Sequence, residues 1–199
     1  MRLIIYVMFL LYPFSLLPAA SGGKKEKNLS DEELMTLVQK QTFRYFWDYG
    51  HPVSGLARER SNGNDDIVTI GGSGFGVMAI IVGAERGFVT REQAAERMLK
   101  IVNFLNDKNT DSYHGIWAHW INGQSGETIS FSRKDDGADL VESAFMFEGL
   151  LAAHQYFNKD NQVERRIRAL INDLWRQAEW NWFTKGGEDV LYWRSEEHT

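Results

Sequence analysis

The chain has no cysteine among its 199 residues. That excludes disulfides and a lipid-anchored cysteine. A secreted fold without such staples needs a core large enough to hold by burial alone. A cationic surplus is also missing: 22 Lys and Arg face 27 Asp and Glu, a net charge of −5. This argues against a nucleic-acid-binding surface and against an anionic membrane partner. No 34- or 40-residue repeat is present, which disfavours a solenoid. The apolar run at residues 3–12 is too short for an integral membrane span. His51, His114 and His154 lack metal-ligand spacing, and His114 with His119 has no third ligand in register. No metal and no cofactor are expected.

Aromatics, by contrast, are plentiful, at 13% with seven Trp. They serve either a large core or the stacking of flat ligands such as sugars. At the N-terminus, Arg2, the apolar run and the small residues Ala19, Ala20 and Ser21 form the pattern of a secretory signal peptide. The expected organisation is a signal peptide at 1–21, a polar linker at 22–29 and one domain at 30–193. This predicts a bacterial periplasmic or extracellular location. The last six residues, RSEEHT at 194–199, match the translated start of a common sequencing adapter. They are expected not to be native, since GGEDVLYW at 186–193 reads as a loop entering an aromatic strand with nothing to close it.

Five helices are predicted. The first spans residues 30–49, with Ser30 and Glu33 forming a capping box and Leu34, Leu37, Val38, Tyr45, Phe46 and Tyr49 an apolar stripe. The second, residues 73–86, carries no charge from 74 to 84, so burial on every side is expected. The third starts at Thr90 with Gln93 closing a second box, and its stripe runs through Ala94, Met98, Val102 and Leu105. The fourth, residues 138–157, is again apolar on nearly every side. The fifth, residues 161–178, has a clean stripe that includes Ile167, Leu170, Ile171 and Leu174. The outer–inner–outer–inner–outer order is that of an α/α toroid, in which inner helices line a funnel. Between the third and fourth helices, IWAHWI at 116–121, Asn122, Gly123 and ETISF at 127–131 predict a β-hairpin at one mouth of the array. Small residues at 71–76 superficially suggest a phosphate loop, but they match neither phosphate-binding fingerprint, and close helix packing is expected instead.

Asp135, Asp139 and Glu142 are the candidate catalytic residues. Asp139 and Glu142, three apart, are expected on one face of the fourth helix. Carboxylates on an apolar inner helix need cationic partners or a solvent-filled cavity. Crowded carboxylates also push their pKa values apart, allowing one acid and one base. The opposing reading makes such acids N-caps that meet the helix dipole, above all Asp136. Trp117 and His119 are expected on one face of the hairpin and Trp120 on the other. These rings suit a sugar subsite, or simply plug the mouth with indoles. Arg58 either reaches the funnel mouth or pairs with surface acids.

These motifs resemble a known family. TFRYFW at 42–47, GLARER at 55–60, IGGSGFG at 70–76, HGIWAHW at 114–120, KDDGADLVE at 134–142 and GGEDVLYW at 186–193 are similar, in this order, to the glucoamylase-like domain family. That family includes the bacterial endo-β-1,2-glucanases of glycoside hydrolase family 144. The resemblance implies an all-α fold, here an incomplete (α/α)6 toroid with a short β-hairpin insertion. It also implies hydrolysis of β-1,2-glucan with inversion, and acidic cleft residues at Asp135, Asp139 and Glu142. It places a further glutamate, the general acid, beyond Trp193. The chain is therefore expected to be an inactive N-terminal part of a secreted glycoside hydrolase with a polysaccharide substrate. The alternatives are a toroid enzyme acting on another polysaccharide, and a non-catalytic glycan-binding protein.

Overall fold

The computed structural model describes residues 28–195. The expected signal peptide, residues 22–27 of the linker and residues 196–199 lie outside the described residues. Among the described residues five α-helices form: α1 (Asp31–Asp48), α2 (Ile70–Glu85), α3 (Arg91–Leu105), α4 (Leu140–Tyr156) and α5 (Gln162–Gln177). Helices α2 and α4 pair as an inner layer, while α1, α3 and α5 lie outside them. This is an arc of an α/α toroid. Among the described residues no helix is long and apolar enough to cross a membrane.

The outer helices begin where their own side chains seal the first turn. Ser30 Oγ accepts the Glu33 N–H at 3.2 Å, and Glu33 returns a bond to Ser30 N at 2.9 Å. Thr90 and Gln93 make the same reciprocal pair at the start of α3. Asn161 caps α5 through Glu164 N at 2.9 Å. Across the outer layer, Arg91 binds Glu164 bidentately at 3.0 and 2.9 Å and also donates to the Tyr156 carbonyl at 2.6 Å. Glu164 is 2% exposed. Its carboxyl falls to about 2 because the Arg91 guanidinium outweighs the cost of burial. One ion pair thus ties α3 to α5 and to the end of α4.

The inner pair is set by glycine. A Cβ at Gly74 would stand 2.2 Å from the Phe145 carbonyl oxygen, and one at Gly149 would stand 2.5 Å from the Gly74 oxygen. The two backbones therefore touch. Gly76 and Gly83 make room for Phe46 and Phe43 of α1. The small residues at 71–76 lie inside α2, which starts at Ile70 rather than Ser73. Val77, Met98, Val102, Met146, Leu150 and Ile171 are fully buried around this crossing.

Burial on every side of α2 and α4 does not hold. Phe75, Met78 and Val82 of α2 and Phe145 of α4 are exposed on one side, where the Phe75 and Phe145 rings meet at 5.3 Å, and Leu151 of α4 is exposed as well. An apolar run is buried only where neighbours stand, and none of the described residues covers that side. The stripe expected on α1 is likewise open: Leu34, Leu37, Val38 and Tyr49 are exposed, and among α1 residues only Phe43 is fully buried.

The predicted hairpin exists, and it gains a third strand. The strands β1 (Ile67–Thr69), β2 (Trp120–Asn122) and β3 (Thr128–Ile129) form an antiparallel sheet in the order β1-β2-β3. Strand β1 was missed because three residues show no readable alternation. It pairs Val68 with Ile121, both fully buried, and runs directly into α2. Residues 116–119, expected to be strand, form no regular ladder, so alternation of faces does not apply to them. Residues 186–193 form no strand either. Their backbone is held by Tyr192 N donating to the Phe183 carbonyl and Leu140 N donating to that of Trp193, each at 2.8 Å.

Candidate active site

The site grows from the start of α4. Asp139 does not share a helix face with Glu142. It is the N-cap, extended at φ −112° and ψ 108°, with Oδ1 accepting the Glu142 N–H at 2.9 Å. Aspartate is favoured there because its oxygen satisfies an orphan amide. The cap reading thus applies to Asp139, not to Asp136. Oδ1 also accepts the Trp193 indole N–H at 2.8 Å, and Oδ2 lies 3.5 Å from His119 Nδ1. Asp139 is fully buried. Burial pushes its carboxyl up, but His119, the Glu142 amide and Trp193 together hold it below the usual range. His119 responds in the opposite sense. Its bond to Asp139 outweighs burial, and with the charges of Glu142 and Asp135 it raises the imidazole above the usual range.

Asp135 sits in a tight turn whose carbonyl accepts the amides of Phe131 at 2.8 Å and Ser132 at 3.2 Å. It is 3% exposed, and its Oδ2 lies 3.1 Å from the guanidinium of Arg194, the first of the residues expected not to be native. His119, Asp135 and Asp139 each bring one ligand atom within 4.8 Å of the others. Those three groups could hold a cation. Comparing histidines alone did not find them, because two of the three are acids. Oxygens of Asp135 and Asp139 this close fall short of the roughly 6.5–9.5 Å that an inverting pair leaves for its water. Glu142 is half-buried, with Oε2 accepting the Gly71 N–H at 2.9 Å and approached by Thr69 Oγ1 at 3.5 Å.

Of the expected sugar-binding residues, His119 joins the acids and Trp120 lies beside it. The Trp120 indole N–H donates to Glu59 at 2.9 Å. Trp117 does not join them: it is 2% exposed and packs on Phe147 at 5.1 Å, where no sugar can stack. Arg58 is also turned elsewhere, its Nε donating to the Asp65 carbonyl at 3.1 Å beside the Asp65 carboxylate. Two residues were missed. Phe131 stacks on His119 at 4.4 Å, and Trp193 holds Asp139. Phe131 had a legible signal, as an aromatic at the end of the second hairpin run. Trp193 had none, because its partner lies 54 positions away.

No family model matches the sequence. Individual proteins do. The chain is 47% identical over 167 residues to the exo β-1,2-glucooligosaccharide sophorohydrolase (non-reducing end) of Parabacteroides distasonis, a match covering 83% of this chain and 23% of that protein. A crystal structure from Bacteroides uniformis, provisionally named a glucoamylase, shares 78% identity with a TM-score of 0.84, over 87% of this chain and 42% of that one. The endo-β-1,2-glucanase of Chitinophaga pinensis, solved with sophorotriose and glucose, shares 46% identity with a TM-score of 0.78, over 83% of this chain and 41% of that one. The chain thus spans about a quarter of the curated relative and under half of these solved ones. Identity of this order, over most of the chain and on the same backbone, makes the chain a member of the glucoamylase-like family that contains these β-1,2-glucan hydrolases.

Proposed function

We propose that the chain is part of a larger glycoside hydrolase, the parent protein, which cleaves β-1,2-glucosidic bonds with inversion. The observation that carries this reading is the 47% identity to a sophorohydrolase across the segment that builds the acid cluster. Glycoside hydrolysis needs one acid to protonate the leaving oxygen and one carboxylate to activate water. Asp139 suits neither role: it is fully buried, its Oδ1 is taken by the Glu142 amide and the Trp193 indole, and its Oδ2 faces His119, so it positions His119 and Trp193 around it. Glu142 suits the second role. Only its Oε2 is engaged among the described residues, which leaves Oε1 to accept a proton from water. The general acid then comes from outside residues 28–195.

Secretion through the signal peptide, cleaved near residues 20–22, belongs to the same proposal, as does the foreign origin of residues 194–199. Reading the gene without interruption past Trp193 tests the latter. Expression of that full gene with β-1,2-glucan as substrate tests the activity. The expected result is release of sophoro-oligosaccharides whose new reducing ends appear first as the α-anomer by proton NMR. Absence of any release from a folded parent protein overturns the reading. Relatives are named both as exo- and as endo-acting, so the product-length profile decides between those modes.

A further inference from the structure

Phe131 is 46% exposed, yet its position is fixed on three sides. Its ring lies on His119 at 4.4 Å with 26° between planes. Trp120 supports it at 4.7 Å, and Trp120 is itself pinned by the Glu59 carboxylate. Its amide donates to the Asp135 carbonyl at 2.8 Å, in the same turn that presents the Asp135 carboxylate. The imidazole beneath it reaches Asp139 Oδ2 at 3.5 Å. An aromatic ring buried for packing would turn both faces inward. This one stacks on His119, meets the tilted Trp120 ring at 57°, and leaves much of its surface open beside two buried acids.

Resting on the β-1,2-glucanase reading, we infer that the open face of Phe131 is a stacking platform for one glucosyl unit of the substrate, and that it sets affinity for the glucan chain. A β-linked glucopyranose carries its hydroxyls around the rim and C–H groups on its faces. A flat ring therefore recognises it by contact and by excluding water. His119 is then a positioning residue. Held between Asp139 and the phenyl ring, it fixes the height and tilt of the platform.

The test uses the parent protein from the uninterrupted gene, with Phe131→Leu, Phe131→Ala and Phe131→Trp assayed on sophoro-oligosaccharides of increasing length. Leucine keeps the apolar contact with His119 and loses the flat face. The expected result is a KM about tenfold higher for Phe131→Leu, equivalent to about 1.4 kcal/mol, with kcat and the melting temperature unchanged. Phe131→Trp should keep the low KM. If Phe131→Ala fails to fold, the Leu and Trp variants still decide. A wild-type KM in Phe131→Leu overturns the platform, as does a matched fall in kcat and melting temperature without a change in KM. A wild-type parent that shows no turnover refutes the hydrolase reading instead. Titration with sophorotriose, followed by indole fluorescence, then still reads the platform: weaker binding by Phe131→Leu than by wild type supports it, and equal or absent binding overturns it.

Discussion

Replacing Gly74 by alanine tests the idea that the inner pair is set by backbone contact. Taken alone, the exchange favours folding, since alanine exceeds glycine in a helix interior by about 1 kcal/mol. The new methyl, however, would stand 2.2 Å from the Phe145 oxygen, 2.5 Å from its carbonyl carbon and 2.8 Å from the Met146 Cα. All three are backbone atoms, so no rotamer change relieves the clash. Reaching an ordinary contact of about 3.4 Å requires α2 and α4 to part by about 1 Å, and a gap of that size forfeits a quarter to a half of each dispersion contact. Overpacking of this kind costs about 1–3 kcal/mol and sometimes more. Here the whole interface around Val77, Met146 and Leu150 shares the shift, so a net loss of about 2–4 kcal/mol is expected. Urea midpoints and melting temperatures of the parent protein measure it. Gly87→Ala is the control: φ is +67° there and no atom lies within 4 Å of the new methyl, so only backbone strain of about 1–2 kcal/mol applies. A Gly74→Ala variant as stable as wild type, or more stable, would refute the contact argument outright.

Other outcomes follow from the same contacts. Glu164 falls from 4.5 to about 2 on folding, so its ion pair contributes fully above pH 4.5, by about 3 kcal/mol, and this is lost as pH falls toward 2; Glu164→Gln should flatten that acid limb of the stability profile. His51 accepts the Val53 and Ser54 amides on Nδ1 at 3.3 Å and is lowered by burial, while His119 is raised, so NMR titration should show His119 protonating at higher pH than His51. The sign follows in each case: the His51 contribution is lost as pH drops below the usual histidine range, and the His119 contribution is lost as pH rises through its raised value. Glu142→Gln should lower kcat of the parent by about 10²-fold or more with little change in KM; unaltered turnover would remove Glu142 as the base. The 199-residue chain alone should bind a hydrophobic dye and cleave no β-1,2-glucan, because Leu34, Leu37, Val38, Phe75, Met78 and Phe145 are open to water; glucanase turnover without dye binding would contradict this.

Much of the fold was legible because its signals were local. Capping pairs at Ser30 and Thr90 located two helix starts to the residue, and the stripe of α5 predicted its buried face. The inner helices were legible as inner, but not in extent: absence of charge marks what can be buried, not what is. In the candidate site, the segment KDDGADLVE does hold a cluster of acids, but its geometry was misassigned. Asp139 lies one residue before the helix, and that single position changes it from a displayed carboxylate to a buried cap. Trp117 was misread because alternation was extended through residues 116–119, which pair with loops and not with a neighbouring strand. Arg58 takes the second of its two expected roles, pairing with the surface acid Asp65, while Trp193 depends on a partner that no sequence spacing reveals.

The way α2 begins has a consequence for how the protein is made. Its N-cap, Thr69, supplies no side-chain bond, and the Gly71 amide is satisfied by Glu142, 71 positions later. During synthesis, at about 5–20 residues per second, the outer helix α1 is complete and capped as soon as it emerges. The helix it packs against remains open at its first turn for several seconds, until α4 arrives to close it. A glycine-rich helix without charge over residues 70–84, waiting in that state, is open to capture by a chaperone. The order of maturation should therefore run from the outer layer inward, with the candidate site closed by the same carboxylate that finishes the inner pair.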